Sequence, residues 1–483
     1  MKISHITIML LVAGAPLWTS CQAQRKADEA DDIVEVPQTY GDVDVEGVST
    51  EQWCSDFGAP SLDRLVEQTW QQNLDLKAAW ARLEQADAAA REARAPLWPQ
   101  MSVSGSFSRS KQFFGNIEIP GPGGGGGIES EAQNNWRLQG AASYEVDIWG
   151  KYRKRARAAG LDRDAARASA EGLAITLTSQ VAGAWFDVVA QRERIALIEE
   201  QVAISEDFLE LTQLRFSRGL ATGLDLTQQQ QNLESLRGQL SNAKSRLQTA
   251  EHRLAVLTGR PPTAEVDVGQ AEMPELPEIP DPGVPADLIE RRPDVRSAML
   301  RLQAADERTA AEVADMLPTL RLSANLSYQA QEVADLFDTL FYNLSAEAAQ
   351  SLFEGGRRLA QVDRAEAAAA EQLYNYGQTL LTAMREVSDA LVLEKRQGEF
   401  IESLEKQVAS AEKALQVARD RYRRGAVEYL RVLTALQSLQ QAEQTLLDAR
   451  RQQFSNRITL CRALGGTWTR ELESSIAEDE ESQ

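Results

Sequence analysis

The segments Arg215-Phe216-Ser217-Arg218-Gly219 and Arg421-Tyr422-Arg423-Arg424-Gly425 are near copies set 206 residues apart, and Leu224 then meets Leu430 at the same offset. Upstream, Leu97-Trp98-Pro99 answers Met316-Leu317-Pro318, and Asp147-Ile148-Trp149-Gly150-Lys151 loosely answers Leu352-Phe353-Glu354-Gly355-Gly356. Downstream, Leu257-Thr258-Gly259 answers Leu464-Gly465-Gly466. One plan, folded twice, must therefore account for most of the chain. The prolines of the joint, residues 259–285, forbid a helix there. Each half reads in the same order: helix, strand, loop, strand, very long helix, tight turn, long helix.

Periodicity predicts the long helices. From Leu359 to Tyr422, positions spaced three and four apart are apolar, among them Leu373, Leu380, Val387, Ile401, Leu404 and Leu415. Only Glu366, Glu394 and Gln397 interrupt this seam; Glu394 and Gln397 read as a kink, as a change of packing partner or as exposed positions. The first half carries the seam in the same phase, through Ala174, Val181, Val188, Ile195, Val202, Leu209 and Phe216, with Gln191, Ser205 and Thr212 as its polar members. A heptad held this long is a coiled-coil signal. A helix of ~60 residues is roughly 90 Å long, far beyond what a globular domain needs.

The strands read as alternation. Trp136, Leu138, Gly140, Ala142, Tyr144, Val146 and Ile148 alternate with polar residues, as do Leu320, Leu322, Ala324, Leu326, Tyr328 and Ala330. Weaker partners lie around Val103 to Phe107 and Tyr342 to Ala348. Such alternation over roughly 9–13 residues fits strands with lipid on one face and water on the other, and a half-buried soluble sheet as well. The loop at 113–135 holds Pro120-Gly121-Pro122 and a run of five glycines, and is expected in solvent.

Several function classes drop out. A formal net charge of -21 argues against nucleic acid as a partner. The histidines are His5 and His252, and the cysteines Cys21, Cys54 and Cys461, too few for an ordinary metal site or a His-based triad. Gly123 to Gly127 lacks the Lys-Ser/Thr that a phosphate cradle requires. No enzyme activity and no cofactor are expected.

The chain opens with Lys2 and a short apolar run, Ile6 to Leu17, the pattern of a secretion signal. Trp18-Thr19-Ser20-Cys21 resembles a bacterial lipoprotein cleavage box, which makes Cys21 the expected lipidation site; ordinary cleavage nearby, for example after Ala23, is the other reading. Gln22 in the next position favours the outer membrane within that resemblance. No later segment reads as a transmembrane helix.

Four strands per chain cannot close a barrel, and an open edge in lipid costs several kcal/mol for each unsatisfied backbone group. Eight strands from two copies tend to fill with side chains, whereas twelve from three copies leave a lumen. If the strands span, the chain must oligomerise.

Asn73-Leu74-Asp75-Leu76, Tyr144-Glu145-Val146-Asp147-Ile148-Trp149-Gly150-Lys151, Arg291-Arg292-Pro293-Asp294-Val295, Leu352-Phe353-Glu354-Gly355-Gly356-Arg357 and Ala463-Leu464-Gly465-Gly466-Thr467-Trp468 stand in order along the chain. With the repeat and the heptads, they resemble the outer-membrane efflux (TolC) family, in particular its lipoprotein branch, over roughly residues 50–468. The resemblance implies an α+β membrane protein: a homotrimer with a long α-helical coiled-coil barrel, a transmembrane β-barrel of four strands per chain and an equatorial mixed region.

The expected organisation is a signal peptide at 1–20 and an N-terminal anchor at 21–60. A first repeat at 61–258 has strands near 101–110 and 136–148. After the joint at 259–285, a second repeat at 286–468 has strands near 319–330 and 340–350. An acidic tail follows at 469–483.

By the same resemblance the chain is the outer-membrane channel subunit of a tripartite efflux system. It passively conducts small toxic molecules or drugs, and it is lipid-anchored and extends into the periplasm. Its partners would be a periplasmic adaptor protein, an inner-membrane pump of the resistance-nodulation-division type and outer-membrane lipid. The exit duct of a type I protein secretion system and a non-channel periplasmic scaffold are the alternatives.

The resemblance also assigns residues. The turns carrying Arg215, Gly219 and Leu224, and Arg421 and Gly425, would meet the adaptor; Leu430, Arg431 and Thr434 would line the periplasmic gate. The family often has an acid where Thr434 stands. Cys54 and Cys461 fall where both chain ends return to the equatorial belt, either as a disulfide or as two buried thiols.

Overall fold

The computed structural model describes residues 25–30, 33–34, 36–37, 39–40, 57–111, 132–269 and 273–465. Cys21, Cys54, the glycine run and the acidic tail lie outside the described residues. The chain divides into two compact units, one of residues 1–30, 85–163 and 300–374, the other of 31–84, 164–299 and 375–483.

Each half supplies two shorter helices, a strand pair and two long helices. In order they are α1 (Pro60–Gln72), α2 (Leu74–Arg94), β1 (Gln100–Lys111), β2 (Ala132–Val146), α3 (Lys151–Ser217) and α4 (Gly223–Leu257). The second half has α5 (Leu288–Arg291), α6 (Pro293–Asp315), β3 (Thr319–Ala330), β4 (Leu340–Ala349), α7 (Arg357–Arg423) and α8 (Tyr429–Ala463). The helices α3 and α7 are each 67 residues long, about 100 Å of α-helix apiece. Helix α3 also holds a stretch apolar enough by composition to cross a membrane, but most of that stretch is buried, as in the core helix of a soluble protein.

In the first unit the strands form one antiparallel sheet in the order β1-β2-β3-β4. Strand β2 starts at Ala132, inside the segment expected to be loop. Asn134 and Asn135 are poor strand formers, yet they pair with Arg109 and Ser108 and extend the ladder. Directly opposed residues share a face, so the register sorts the sheet into two surfaces. One carries Met101, Val103, Phe107, Leu138, Tyr144, Leu322, Leu326, Tyr342 and Leu344. The other carries serines, asparagines, glutamines and a few charges. Met101, Val103, Tyr342 and Leu344 are all more than three-quarters exposed in the single chain. The outer edges of β1 and β4 have no strand beside them among the described residues.

In the second unit, an aromatic core sits where α1, α3, α4, α8 and the proline-rich joint converge. Phe186 stacks on Phe454 at 4.5 Å, and Trp185 and Phe57 meet the edge of Phe186. Each such buried ring contributes about 1.5–3 kcal/mol of burial energy. Cys461 lies in the same cluster. The Val268 carbonyl accepts from Ser61 Oγ at 2.7 Å and Trp185 Nε1 at 3.2 Å, which pins the joint across the core.

The seam residue Glu394 is buried, not exposed. It pairs with Arg457 of α8 at 2.5 Å, and Arg457 also donates to the Pro277 carbonyl of the joint. Gln397 donates to the Ala449 carbonyl at 2.7 Å. Both of these polar interruptions of the α7 heptad therefore bond to α8, while Glu366 is exposed.

Matched contacts close the two halves. Asn73 Nδ2 donates to the Leu257 carbonyl at 2.9 Å; in the second half Arg292 Nη1 donates to the Ala463 carbonyl at 3.0 Å. Arg292 also grips Asp294 at 2.7 Å and Glu386 at 2.9 Å, which explains the Arg-Pro-Asp motif as a structural clasp. Gly259 and Gly465 end the two halves at φ +75° and +80°, and a Cβ there would press on the carbonyls of Gln72 and Arg291 at 2.5 and 2.7 Å. Only glycine fits either position.

Candidate functional site

The two turns between long helices stop in the same way. At the first, Gly219 takes φ +68°, Leu220 N–H donates to the Arg215 carbonyl at 2.8 Å, and Gly219 N–H donates to the Phe216 carbonyl at 2.9 Å. At the second, Gly425 takes φ +73°, Ala426 N–H donates to the Arg421 carbonyl at 2.9 Å, and Gly425 N–H donates to the Tyr422 carbonyl at 2.9 Å. Both are Schellman closures, with glycine in the left-handed position.

Beyond the glycine the turns part. Thr222 caps α4 in a capping box: its Oγ1 accepts from Asp225 N–H at 3.2 Å, and the Asp225 carboxylate accepts from Thr222 N–H at 2.8 Å. At the second turn Glu428 and Arg431 stand in those places, and α8 starts with no side-chain cap. In place of Gly223, α8 starts with Tyr429, which is buried.

Tyr429 packs in a cluster with Phe208, Tyr422, Val432, Leu433 and Leu436. Burial pushes its phenol up from the ordinary value, and the nearby Tyr422 and Asp225 add to the rise. The hydroxyl therefore keeps its proton, and it donates to Gln229 Oε1 of α4. Gln229 Nε2 in turn donates to Ser205 Oγ of α3 at 2.8 Å, as does Asn232 Nδ2 at 3.1 Å, and Gln437 Nε2 donates to Asn232 Oδ1 at 3.1 Å. Farther along α8, Gln444 bonds Gln201 at 2.9 Å, and Gln201 bonds Glu443 at 2.8 Å. A polar ladder thus ties α8 to α3 and α4.

Sequence reasoning missed Tyr429, Gln229, Asn232 and Gln437. The available signal was Ser205, a polar residue inside an apolar seam.

The expected contact residues divide. Gly219 and Gly425 hold the turns. Leu224 is exposed, as are Leu214, Phe216 and Leu220 around it. Arg421 is exposed. Arg215 is half-buried, its guanidinium 4.3 Å over the ring of Tyr422, so it joins one turn to the other. Leu430 and Thr434 are exposed one helical turn apart, with Thr434 Oγ1 on the Leu430 carbonyl at 2.8 Å, and Arg431 is exposed beside them. Farther along the helix stand the uncharged Gln441 and Thr445, bonded to each other at 3.2 Å.

The polar face of the sheet is a second candidate surface. Arg137 Nη2 donates to Gln329 Oε1 at 3.1 Å, Gln139 bonds Asn325 at 3.3 Å, and Ser323 bonds Ser345 at 2.6 Å. Near the ends of the strands away from the loops, Glu145 meets Lys151 at 2.7 Å and Arg321 at 3.6 Å. Among the described residues no group of three or more His, Cys, Asp or Glu side chains is placed to hold a metal ion.

The family model described as outer membrane efflux protein matches residues 65–260 and 284–466. The pyoverdine export outer membrane protein OpmQ of Pseudomonas aeruginosa is 31% identical over 430 residues, covering 89% of this chain and 90% of the relative. The probable outer membrane lipoprotein SilC of Salmonella typhimurium is 26% identical over 424 residues, covering 86% and 88%. Among solved structures, the outer-membrane channel OprN superposes with a TM-score of 0.82 over 90% of this chain and 98% of the other; at 24% identity it supports the fold alone.

Proposed function

The chain belongs to the outer membrane efflux protein family, and on that premise we propose how its parts form and regulate an outer-membrane efflux channel. The observation that carries the reading is the sheet. Among the described residues one face is apolar and uncovered, the other is polar, and both edges are open. In water such a face aggregates, and in lipid such edges are intolerable. Both problems vanish when β4 of one copy pairs with β1 of the next and three copies close a twelve-stranded barrel around a wet lumen. A periplasmic scaffold has no use for such a sheet.

The turns divide the remaining work. The apolar cluster of Leu214, Phe216, Leu220 and Leu224 is the surface for a periplasmic adaptor, with Arg421 and the glycine-held backbone of the second turn beside it. Leu430 and Thr434 face the pore entrance, where a ring of leucines from three copies excludes water and ions. Thr434 supplies no carboxylate there, and the charge nearest this ring is Arg431. The Tyr429–Gln229 bond and the ladder behind it hold α8 inward. An adaptor or pump opens the entrance only by binding the outward state more tightly. The channel itself consumes no energy; an inner-membrane pump, of the resistance-nodulation-division type, supplies it. Lipidation at Cys21 anchors each copy. What is exported is a small toxic molecule or drug.

Deletion of the gene should raise intracellular accumulation of at least one tested toxic compound. Unchanged accumulation across a broad panel counts against efflux. Purified protein in planar bilayers should run as a trimeric channel, and Leu430→Ala should raise its single-channel conductance. Parental conductance in that variant removes Leu430 from the gate.

A further inference from the structure

For a chain of net charge -21, the polar face of the sheet is unexpectedly not acidic. Among the described residues on that face, the charged side chains are Arg137, Glu145, Arg321 and Glu347. Three of the four stand side by side at one end of the strands, two carboxylates around one guanidinium, with Lys151 beside them. Glu145 contacts Arg321 at 3.6 Å and Lys151 at 2.7 Å, and Glu347 stands directly opposite Arg321 in the register. Lys151 also meets Asp315 at 3.1 Å.

Arg137 stands apart from this group. Its register partners are Ser106 on β1 and Gln329 on β3. Around it the face carries Ser104, Ser108, Asn135, Gln139 and Ser327, all uncharged. Its guanidinium donates to the neutral amide oxygen of Gln329, which orients the charge without neutralising it.

We infer that Arg137 from three copies forms a basic ring inside the barrel, a selectivity station that draws anionic groups of the exported molecule toward the exterior. This rests on the reading of the sheet as a lumen-lining barrel. The apolar face must meet lipid, so its opposite, with Arg137, must meet water. Three like charges in a passage walled by low-dielectric lipid and protein add their fields and concentrate counter-ions, and rings of arginine or lysine serve anion pores in this way. The preferred cargo therefore carries carboxylate, sulfonate, phosphate or phenolate groups. Cationic cargo must pass the ring against its field.

The test uses thiol labelling of whole cells from outside, which reads the barrel without passing the periplasmic gate. Ser106→Cys places a thiol directly across from Arg137, and Val103→Cys places one on the apolar face; the parent chain is the blank. The rates of an anionic methanethiosulfonate (sulfonatoethyl) and a cationic one (trimethylammonium-ethyl) are compared. The anionic reagent should be favoured at S106C. That advantage should fall by roughly three- to tenfold when Arg137→Gln is added and survive Arg137→Lys, and it should shrink as salt is raised from about 50 mM to about 1 M. S106C that labels well with a ratio indifferent to both Arg137→Gln and salt overturns the basic ring while leaving the channel standing. S106C that labels no faster than V103C overturns the lumen itself, and the ring with it. Should R137Q fail to reach the outer membrane, the salt dependence of S106C alone decides: no dependence rejects the ring.

Discussion

The two turns are the same device with opposite dependencies. Both stop a 67-residue helix with a glycine near φ +70° and the same pair of backbone bonds. The first then starts its returning helix from within, through Thr222 and Asp225. The second gives up that box for Glu428 and Arg431, and its returning helix leans on Tyr429 reaching Gln229 of α4. A self-capped turn keeps its shape whatever its neighbours do. One held by a tertiary bond is released when the neighbour moves. The repeat carries the same turn twice, and a few residue differences leave one closed by its own capping box and the other by a bond to α4.

The strongest way to break this comparison is Tyr429→Phe. It leaves the buried Gln229 oxygen without its donor, at about 1–3 kcal/mol. Thermal unfolding of the trimer should start earlier, and single-channel conductance should rise. A variant with parental conductance would mean the bond holds structure but no gate.

Thr222→Ala should cost ~1 kcal/mol from the lost cap. It should leave conductance unchanged, because the first turn is the fixed one. Raised conductance in this variant would erase the distinction between the turns.

The smallest expected effect is a pH dependence. Burial holds the Glu443 carboxyl above its ordinary 4.5, the charges of Glu200 and Glu412 push the same way, and the Gln201 amide opposes them. The folded state therefore binds this proton more tightly than the unfolded one. The stabilisation is complete below the ordinary value and lost as pH rises through the raised one. Channel openings in bilayers should become rarer as pH is lowered through that window, and Glu443→Gln should flatten the profile. In the first half the matching residue is Arg237, exposed and paired with Glu206 at 2.9 Å and Glu234 at 2.8 Å, so Arg237→Gln should leave the profile as it is.

How much was legible differs by kind of signal. The heptads of α3 and α7 recur over dozens of residues, and the alternation of β3 is nearly unbroken, so both could be read without a fold. The start of β2 could not, since Asn134 and Asn135 are strand only because β1 lies beside them. The roles of Gly219 and Gly425 were visible from their place after long helices. Arg215 and Arg421 look equivalent in sequence, and only packing separates the one lying over Tyr422 from the one facing outward. Glu394 stood out as a break in the seam, but its partner Arg457 lies 63 positions away and carries no local mark.

The amino-acid sequence alone determined the duplication, the length of the helices, the position of the turns and the presence of strands with one apolar side. These follow from periodicity and from glycine and proline, whose effects are local and repeat along the chain. Tertiary structure alone decided which polar residues inside the seams pair with which, that Tyr429 replaces a cap, and that Arg137 has no counter-charge beside it among the described residues while Glu145 and Arg321 meet each other. Those are matters of register and of distance between segments far apart in the chain, and a side chain's charge acts through the neighbours that folding brings to it.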